Sequence, residues 1–303
     1  MKLELELRGP GGEPVDLART LNSHGFAGLP PTRLDEVNGT LEVTLPVKGG
    51  RPRRVRIQPG RKRFVAIEVL GPAPGARVRS EVLAGARRVL RLDQDLSGFY
   101  ALVGEDADLA WAATGAGRML QSPTVFEDVV KTICTTNCSW ALTTRMVHAL
   151  VAELGEPAIG GDGPLTNAFP TPAAMAARPE RFYREVVRAG YRAPYFLALA
   201  RSVHAGDVDL ESLADPSSNE MPEPEIESRL LGLPGVGPYA ATHIMMTLGR
   251  TSKLILDSWT RPKYARLLGK RSVSDATIAR RFRSYGDRAG LAFWLFLTRD
   301  WVE

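Results

Sequence analysis

The chain has 303 residues, of which 44% are hydrophobic and 24% charged, and its formal net charge is +5. This length can hold two domains with a sizeable core, and the composition is ordinary for a soluble globular protein. The two cysteines, Cys134 and Cys138, are too few for a four-cysteine iron–sulfur cluster or a cysteine-only zinc site. The N-terminal sequence MKLELELRG has no apolar signal core, and no segment approaches the roughly 20 apolar residues of a membrane span. We therefore expect a cytoplasmic protein without an iron–sulfur cluster.

Apolar and polar residues alternate along the first part of the chain. The alternating apolar positions are Leu3, Leu5, Leu7, Leu41, Val43, Leu45 and Val47. This period is typical of half-buried strands, and turns at 49–50 and 59–60 separate further strands over 53–57 and 64–70. The pattern predicts a small antiparallel β-rich domain over residues 1–80. Its basic residues between 51 and 63 either solubilise the sheet or contact nucleic acid.

The apolar spacing becomes helical from about Ser80. One predicted helix has an apolar face formed by Val82, Leu83, Ala86, Val89 and Leu90. Another is expected to begin at Ser122, as N-cap, with a proline at its first helical position. Loops rich in glycine or proline are predicted over Asp162–Pro172 and Pro216–Pro224. Residues 81–303 are therefore expected to form a mainly α-helical domain, which makes the fold class α+β.

The most informative segment of this helical part is a glycine turn between two helices. The sequence Leu233-Pro234-Gly235-Val236-Gly237 precedes a helical apolar pattern that ends near Gly249. Glycines let the backbone approach a phosphate closely, and the following helix N-terminus favours an anion. The carbonyl groups of such a turn can also hold a monovalent cation. This turn therefore predicts a phosphate-binding site.

Asp257 follows the apolar run 254–256 and lies 20 residues after Gly237. A single carboxylate close to a phosphate-binding turn suggests a catalytic acid. An isolated acid before Ser258-Trp259-Thr260 is also a common helix N-cap, so both roles stay open.

Two shorter segments add polar and aromatic residues. The first is TTNCSW over 135–140, which is typical of a helix end. The second is GYRAPY over 190–195, where a tyrosine beside an arginine can stack on a base while it binds a phosphate. A surface arginine that lies on a neighbouring ring is the commoner explanation for the second segment.

Together these segments resemble the helix-hairpin-helix superfamily of DNA base-excision glycosylases. The resemblance rests on LPGVGPYAA followed by LILDSWTR. ICTTNCSW and AGYRAPY resemble ICSSNNN and LGYRARY of the 8-oxoguanine DNA glycosylases, whereas FPTPAAMAA and GLAFWLFLTRDW are more similar to 3-methyladenine DNA glycosylase II. The matching order runs from about Glu81 to the C-terminus. Those two branches also carry a small β domain, in agreement with the predicted strands.

The resemblance implies a role for each matching position. Asp257 corresponds to the catalytic aspartate. Gly235, Val236 and Gly237 correspond to the DNA-binding hairpin, in which the carbonyl groups of Leu231, Leu233 and Val236 are candidate ligands for Na⁺ or K⁺. Asn137, Tyr191 and Arg192 correspond to residues that fill the gap left by a flipped nucleotide and hold its partner base.

Two positions depart from the family pattern. Bifunctional members have a lysine that forms a Schiff base where this chain has Tyr239, so lyase activity is not expected. Trp259 stands where the oxoguanine branch has a histidine. Tyr239, Phe293 and Trp294 are candidate walls of the base pocket, although Phe293 and Trp294 are equally plausible as core residues. None of the four histidines shows metal-ligand spacing, and none receives a role.

The predicted protein is thus a monomeric, monofunctional DNA N-glycosylase of base-excision repair. It is expected to act on double-stranded DNA that contains an alkylated purine such as 3-methyladenine, and to associate with the nucleoid if the source is bacterial. The alternatives are a glycosylase for oxidised or deaminated bases on the same fold, and a non-catalytic helix-hairpin-helix DNA-binding protein.

Overall fold

The computed structural model describes residues 1–214 and 221–302. Its N-terminal part contains one five-stranded antiparallel sheet in the order β1-β5-β4-β3-β2. The strands are β1 (Lys2–Glu6), β2 (Arg33–Asp35), β3 (Thr40–Val47), β4 (Gly50–Pro59) and β5 (Phe64–Val69). The alternating segments of the sequence are therefore strands, as predicted, and β2 is an additional short edge strand.

The rest of the described chain is helical, which confirms the predicted α+β class. The α-helices are α1 (Leu17–Leu21), α2 (Ala76–Val89), α3 (Ser97–Val103), α4 (Val125–Thr135), α5 (Trp140–Leu154), α6 (Pro172–Ala176), α7 (Glu180–Glu185), α8 (Ala193–Ala205), α9 (Glu223–Leu231), α10 (Pro238–Thr247), α11 (Thr260–Leu267), α12 (Asp275–Phe282) and α13 (Ala289–Thr298). Short 3-10 turns cover Gly25–Gly28, Ala110–Thr114, Pro164–Thr166, Gly190–Arg192, Glu211–Ala214 and Arg283–Arg288. No helix in the described ranges has the length and apolar character needed to cross a membrane.

The apolar residues in the described part of the chain form three buried clusters. One joins the sheet to α2, a second joins α4, α5, α8 and α10, and the third surrounds α13. Val82, Ala86 and Val89 of α2 are buried in the sheet cluster, as their helical spacing predicts. The boundary predicted at residue 80 falls inside α2, because this helix covers the sheet.

The start of α4 differs from its prediction by two residues. Thr124, rather than Ser122, is the N-cap, and its Oγ1 accepts a hydrogen bond from Glu127 N at 3.1 Å. The backbone N–H of Ser122 instead donates to Asp128 Oδ1. Threonine caps helices nearly as well as serine does, so the sequence alone does not separate the two positions.

The two predicted loops also have a partly different structure. Within the first, Pro164–Thr166 form a 3-10 turn, and α6 begins at Pro172. Most of the second loop, residues 216–220, lies outside the described residues, and its last two residues belong to α9, which begins at Glu223. A proline in the first turn of a helix lacks only an N–H that would have no partner there anyway.

Several arginines of the sheet are engaged in ion pairs within it. Glu42 on β3 accepts hydrogen bonds from the guanidinium groups of Arg33, Arg54 and Arg56. Arg54 is 2% exposed and also donates to the carbonyl oxygen of Pro31. These basic side chains stabilise the sheet through contacts across its strands.

Candidate active site

The predicted hairpin connects α9 to α10. Gly235 has φ +81°, a left-handed conformation that favours glycine, and a β carbon there would lie 2.9 Å from Cβ of Tyr195. Gly237 has an ordinary φ of −96°, and a β carbon there would meet nothing within 4 Å. One glycine is therefore required by the turn, whereas the other leaves open space beside the helix.

The first turn of α10 is free to bind an anion. The helix begins at Pro238, and its N-cap Gly237 provides no side-chain acceptor. The N–H groups of this turn have no partner within the helix, and the helix dipole makes this end positive. The side chain of Val236 is buried, so this residue presents only its backbone.

The carbonyl groups proposed for a cation are of the right chemical type. Leu231 ends α9, and the carbonyl of Leu233 accepts a hydrogen bond from Val236 N at 3.1 Å, which uses one of its two lone pairs. Within the described ranges, no group of three or more histidine, cysteine, aspartate or glutamate residues could hold a metal ion. Any cation at the hairpin would therefore depend on backbone oxygens.

Three separate sequence segments meet beside the hairpin. Tyr195 packs against Gly235, and its ring centroid lies 6.4 Å from that of Tyr191. The hydroxyl of Tyr191 accepts a hydrogen bond from Asn137 Nδ2 at 3.3 Å. The residues predicted from 135–140, 190–195 and 233–237 are thus brought together at one surface.

Asn137 and Tyr191 are exposed at this surface, but Arg192 is not. Asn137 has φ +47°, and Tyr191 is 51% exposed. Arg192 is only 4% exposed and donates to the carbonyl oxygens of Ile133 and Thr136. These carbonyls lie at the C-terminal end of α4, where helix carbonyls lack partners. Arg192, which was predicted to hold a partner base, is therefore turned inward and holds the end of α4.

Tyr239 lies in the first turn of α10 and is 41% exposed. Burial raises the pKa of Tyr239, and the nearby charge of Asp257 raises it further, whereas a hydrogen bond with the Thr135 side chain opposes both effects. The residue that replaces the lyase lysine is therefore close to the end of α4 and within electrostatic reach of Asp257.

His243 is a site residue that the sequence analysis missed. Its ring centroid lies 4.1 Å from that of Tyr239, and its Nδ1 is 2.9 Å from the carbonyl oxygen of Tyr239. Burial lowers the pKa of His243, and the charge of Asp257 partly opposes this effect. His243 follows Tyr239 by four residues, which places both rings on one helix face. This spacing is the feature of the sequence from which His243 could have been predicted.

Asp257 has two differently engaged carboxylate oxygens. Oδ1 accepts hydrogen bonds from the backbone N–H groups of Trp259 at 2.8 Å and Thr260 at 2.7 Å. Asp257 N in turn donates to Thr260 Oγ1 at 2.8 Å. Oδ1 therefore pairs two N–H groups at the entry to α11, which resembles the predicted capping role, although the residue that directly precedes the helix is Trp259. In the described part of the chain no donor is bonded to Oδ2, which remains available for chemistry.

The other two candidate pocket residues differ in position. Phe293 is fully buried, and its ring packs against Tyr264 and Phe282 at centroid distances of 5.9 and 5.3 Å. It is a core residue, the alternative that the sequence left open. Trp294 is 9% exposed and lies 5.7 Å from the ring of Trp259, next to Asp257. Of these two residues, only Trp294 can form part of a pocket near the acid.

A loop from the N-terminal part reaches the same region and was also missed. Trp294 Nε1 donates to the carbonyl oxygen of Ser23 at 2.8 Å, and a β carbon at Gly25 would lie 2.8 Å from the Trp140 ring. Between these contacts, His24 Nε2 donates to Leu120 O at 2.7 Å. Burial lowers the pKa of His24 to about 4. The smallest sequence separation among these contacts is 96 residues, between His24 and Leu120, so no local pattern could predict them.

Comparisons with known proteins give similarity in part of the sequence and in the fold. No protein-family model matches the chain. The N-glycosylase/DNA lyase of Saccharomyces cerevisiae is 25% identical over 166 residues, which cover 51% of this chain and 43% of that protein. The match therefore spans less than half the length of this curated relative.

Solved structures match over more of the chain. A 3-methyladenine DNA glycosylase from Archaeoglobus fulgidus is 22% identical, with a TM-score of 0.73 over 99% of this chain and 100% of that chain. MBOgg1 in complex with a low-affinity DNA ligand is 19% identical, with a TM-score of 0.70 over 99% and 96% of the two chains. The Clostridium acetobutylicum 8-oxoguanine glycosylase/lyase in complex with DNA is 19% identical, with a TM-score of 0.61 over 85% and 88%. The chain therefore has the fold of the helix-hairpin-helix DNA glycosylases, in agreement with the resemblance of its sequence motifs to that superfamily.

Proposed function

We propose that the protein is a monofunctional DNA N-glycosylase that removes alkylated purines from double-stranded DNA. The observation that carries this proposal is the convergence of an anion-binding hairpin, an exposed polar and aromatic surface, and Asp257 with one free carboxylate oxygen. The fold shared with DNA glycosylases supports the same reading.

The hairpin and the surface beside it would bind the DNA backbone and stabilise a flipped nucleotide. The first turn of α10 offers free N–H groups for a phosphate, and the open side at Gly237 lets the backbone approach. A Na⁺ or K⁺ ion held by carbonyls of Leu231, Leu233 and Val236 would add positive charge there. Asn137 and Tyr191 would fill the gap left by the flipped base, which offsets part of the few kcal/mol that extrusion costs.

Asp257 is the proposed catalytic residue. Cleavage of the N-glycosidic bond develops positive charge on the sugar, and a nearby carboxylate stabilises this charge and orients the attacking water. The two backbone N–H groups that bind Oδ1 fix the carboxylate and keep negative charge favourable at this position. Oδ2 is then the oxygen that acts on the sugar or the water.

Tyr239 supports a hydrolytic mechanism on an electron-poor base. A phenol cannot form the Schiff base that strand cleavage by a lysine requires. The exposed ring beside His243 can instead stack on a cationic alkylated purine, which leaves readily. The 8-oxoguanine enzymes among the similar structures make an oxidised purine the second candidate substrate.

The test is base release from duplexes that carry 3-methyladenine, 8-oxoguanine, hypoxanthine or uracil, with wild type and Asp257→Asn. Asparagine keeps an oxygen for the α11 cap but loses the charge, so helix stability is retained. We expect release of the alkylated base by wild type, a loss of at least a hundredfold in Asp257→Asn, and no DNA adduct trapped by borohydride.

The capping role of Asp257 also fits a protein that binds DNA without cleaving it. Tight lesion binding with no base release from any duplex would favour that binding protein. Full activity of Asp257→Asn would exclude the proposed mechanism.

A further inference from the structure

One ring nitrogen at the candidate site has no hydrogen-bond partner among the residues that the structure describes. Nδ1 of His243 lies 2.9 Å from the backbone carbonyl oxygen of Tyr239. A carbonyl oxygen can only accept, so Nδ1 carries the proton and donates it. Burial lowers the pKa of His243, which keeps the ring neutral at pH 7. Nε2 is therefore unprotonated, and over residues 1–214 and 221–302 no donor is bonded to it.

The free nitrogen belongs to a ring that lies where the chemistry is proposed. The His243 ring is tilted by 43° against the Tyr239 ring at a centroid distance of 4.1 Å. Asp257 acts electrostatically on both residues, so all three lie close together. His24, from the N-terminal loop that reaches this region, also interacts electrostatically with His243.

His24 provides a useful contrast because its two ring nitrogens are both engaged. Nε2 donates to the carbonyl oxygen of Leu120 at 2.7 Å, and Nδ1 accepts from Phe26 N at 3.3 Å. Both ring nitrogens of His24 are thus engaged by the backbone, one by that of Phe26 in the same loop and one by that of Leu120. Of these two histidines, His243 alone has an acceptor left for a ligand.

We propose that Nε2 of His243 determines base specificity by accepting a hydrogen bond from an N–H group of the flipped base. This inference rests on the proposed glycosylase function. It predicts selection for bases that present an N–H donor, such as the 6-amino group of 3-methyladenine or N7–H of 8-oxoguanine. It predicts discrimination against 1,N6-ethenoadenine, whose base has no N–H group. A base without a donor would leave the half-buried lone pair of Nε2 unpaired, which costs binding energy in the closed site.

The experiment compares single-turnover base release by wild type, His243→Phe and His243→Gln on 3-methyladenine, 8-oxoguanine and 1,N6-ethenoadenine duplexes. Phenylalanine keeps a ring beside Tyr239 but has no lone pair, and glutamine has an acceptor but no ring. Relative to wild type, His243→Phe should release 3-methyladenine and 8-oxoguanine about tenfold more slowly, the effect of about one hydrogen bond. Its release of 1,N6-ethenoadenine should become faster, because no unpaired lone pair remains in the site. His243→Gln should keep the wild-type ratio between the two kinds of lesion.

The outcomes separate this inference from the proposed function. Equal slowing of all substrates by His243→Phe would mean that the ring only packs beside Tyr239, and would overturn the inference while glycosylase activity stands. If His243→Phe does not fold, loss of the lesion ratio in His243→Gln would overturn it equally. Failure of wild type to release any base would overturn both the inference and the proposed function.

Discussion

Gly235 in the hairpin lies directly against the side chain of Tyr195, so that a β carbon at position 235 would stand 2.9 Å from Tyr195 Cβ. This contact joins the hairpin to α8, whose first turn follows the exposed Tyr191. The position of the hairpin relative to the surface that would meet the DNA therefore depends on glycine at position 235, which has no side chain.

The two hairpin glycines should respond differently to substitution. Gly235→Ala introduces both a left-handed alanine and a clash with Tyr195, so we expect a loss of about 1–3 kcal/mol in the free energy of unfolding. Gly237→Ala has neither problem and should leave stability nearly unchanged, while its methyl group weakens DNA binding at the open side of the turn. Denaturant unfolding and duplex binding of both variants check this. Equal stability of the two variants would contradict the assigned packing.

Arg192 and Tyr191 offer a second matched pair. Arg192→Ala removes a donor from the carbonyls of Ile133 and Thr136. Ile133 O keeps its hydrogen bonds from Thr136 N and Oγ1, whereas Thr136 O loses its donor, so we expect a cost of roughly 1–3 kcal/mol. Tyr191→Ala removes an exposed ring and should lower affinity for DNA with little change in the melting temperature. A melting temperature in Arg192→Ala equal to wild type, together with weak DNA binding, would instead indicate direct contact between Arg192 and DNA.

The outcome for these residues shows which kind of information the sequence contains. Strand alternation, the glycine turn and the acid after an apolar run are local patterns, and they predict the sheet, the hairpin and the position of Asp257 at the start of α11. The inward direction of Arg192 depends on carbonyls of α4, more than fifty residues earlier in the chain. The hydrogen bond from Trp294 to Ser23 connects residues that are 271 positions apart in the sequence. Such relationships arise only from tertiary packing, and sequence spacing carries no signal for them.

The stability of the fold should depend on His24 below neutral pH. Burial lowers the pKa of His24 from 6.5 to about 4, so the unfolded chain binds a proton in this range that the native state does not. The contribution is therefore fully present above pH 6.5 and is lost as the pH falls towards 4, by about 2–3 kcal/mol. Carboxyl groups also titrate in this pH range. The quantity to measure is therefore the difference in the free energy of unfolding between wild type and His24→Gln.

The glutamine variant keeps an N–H donor for the carbonyl of Leu120 but has no titratable ring. Unfolding free energies measured at several pH values from 4 to 8 should fall less steeply in His24→Gln than in wild type on the acid side. Parallel curves for the two proteins would show that His24 is protonated as readily in the native state as in the unfolded chain.

The aromatic ring of Tyr239 should set the rate at which an alkylated purine is released. Tyr239→Phe keeps the ring beside His243 and should retain base release within about threefold, because the hydroxyl is not required for stacking. Tyr239→Ala removes the ring and should slow release of an alkylated purine by about ten- to a hundredfold, the size expected for one lost aromatic contact of roughly 1–3 kcal/mol.

Tyr239→Lys tests the same position from the opposite side. Its amine would stand within electrostatic reach of Asp257 and could attack the sugar, so borohydride should trap a covalent DNA adduct that wild type does not form. Asp257→Asn in the lysine background is the control, since the adduct should depend on the acid. Efficient trapping by wild type, in which no lysine occupies position 239, would mean that another amine of the protein acts as the nucleophile and that the monofunctional mechanism is wrong.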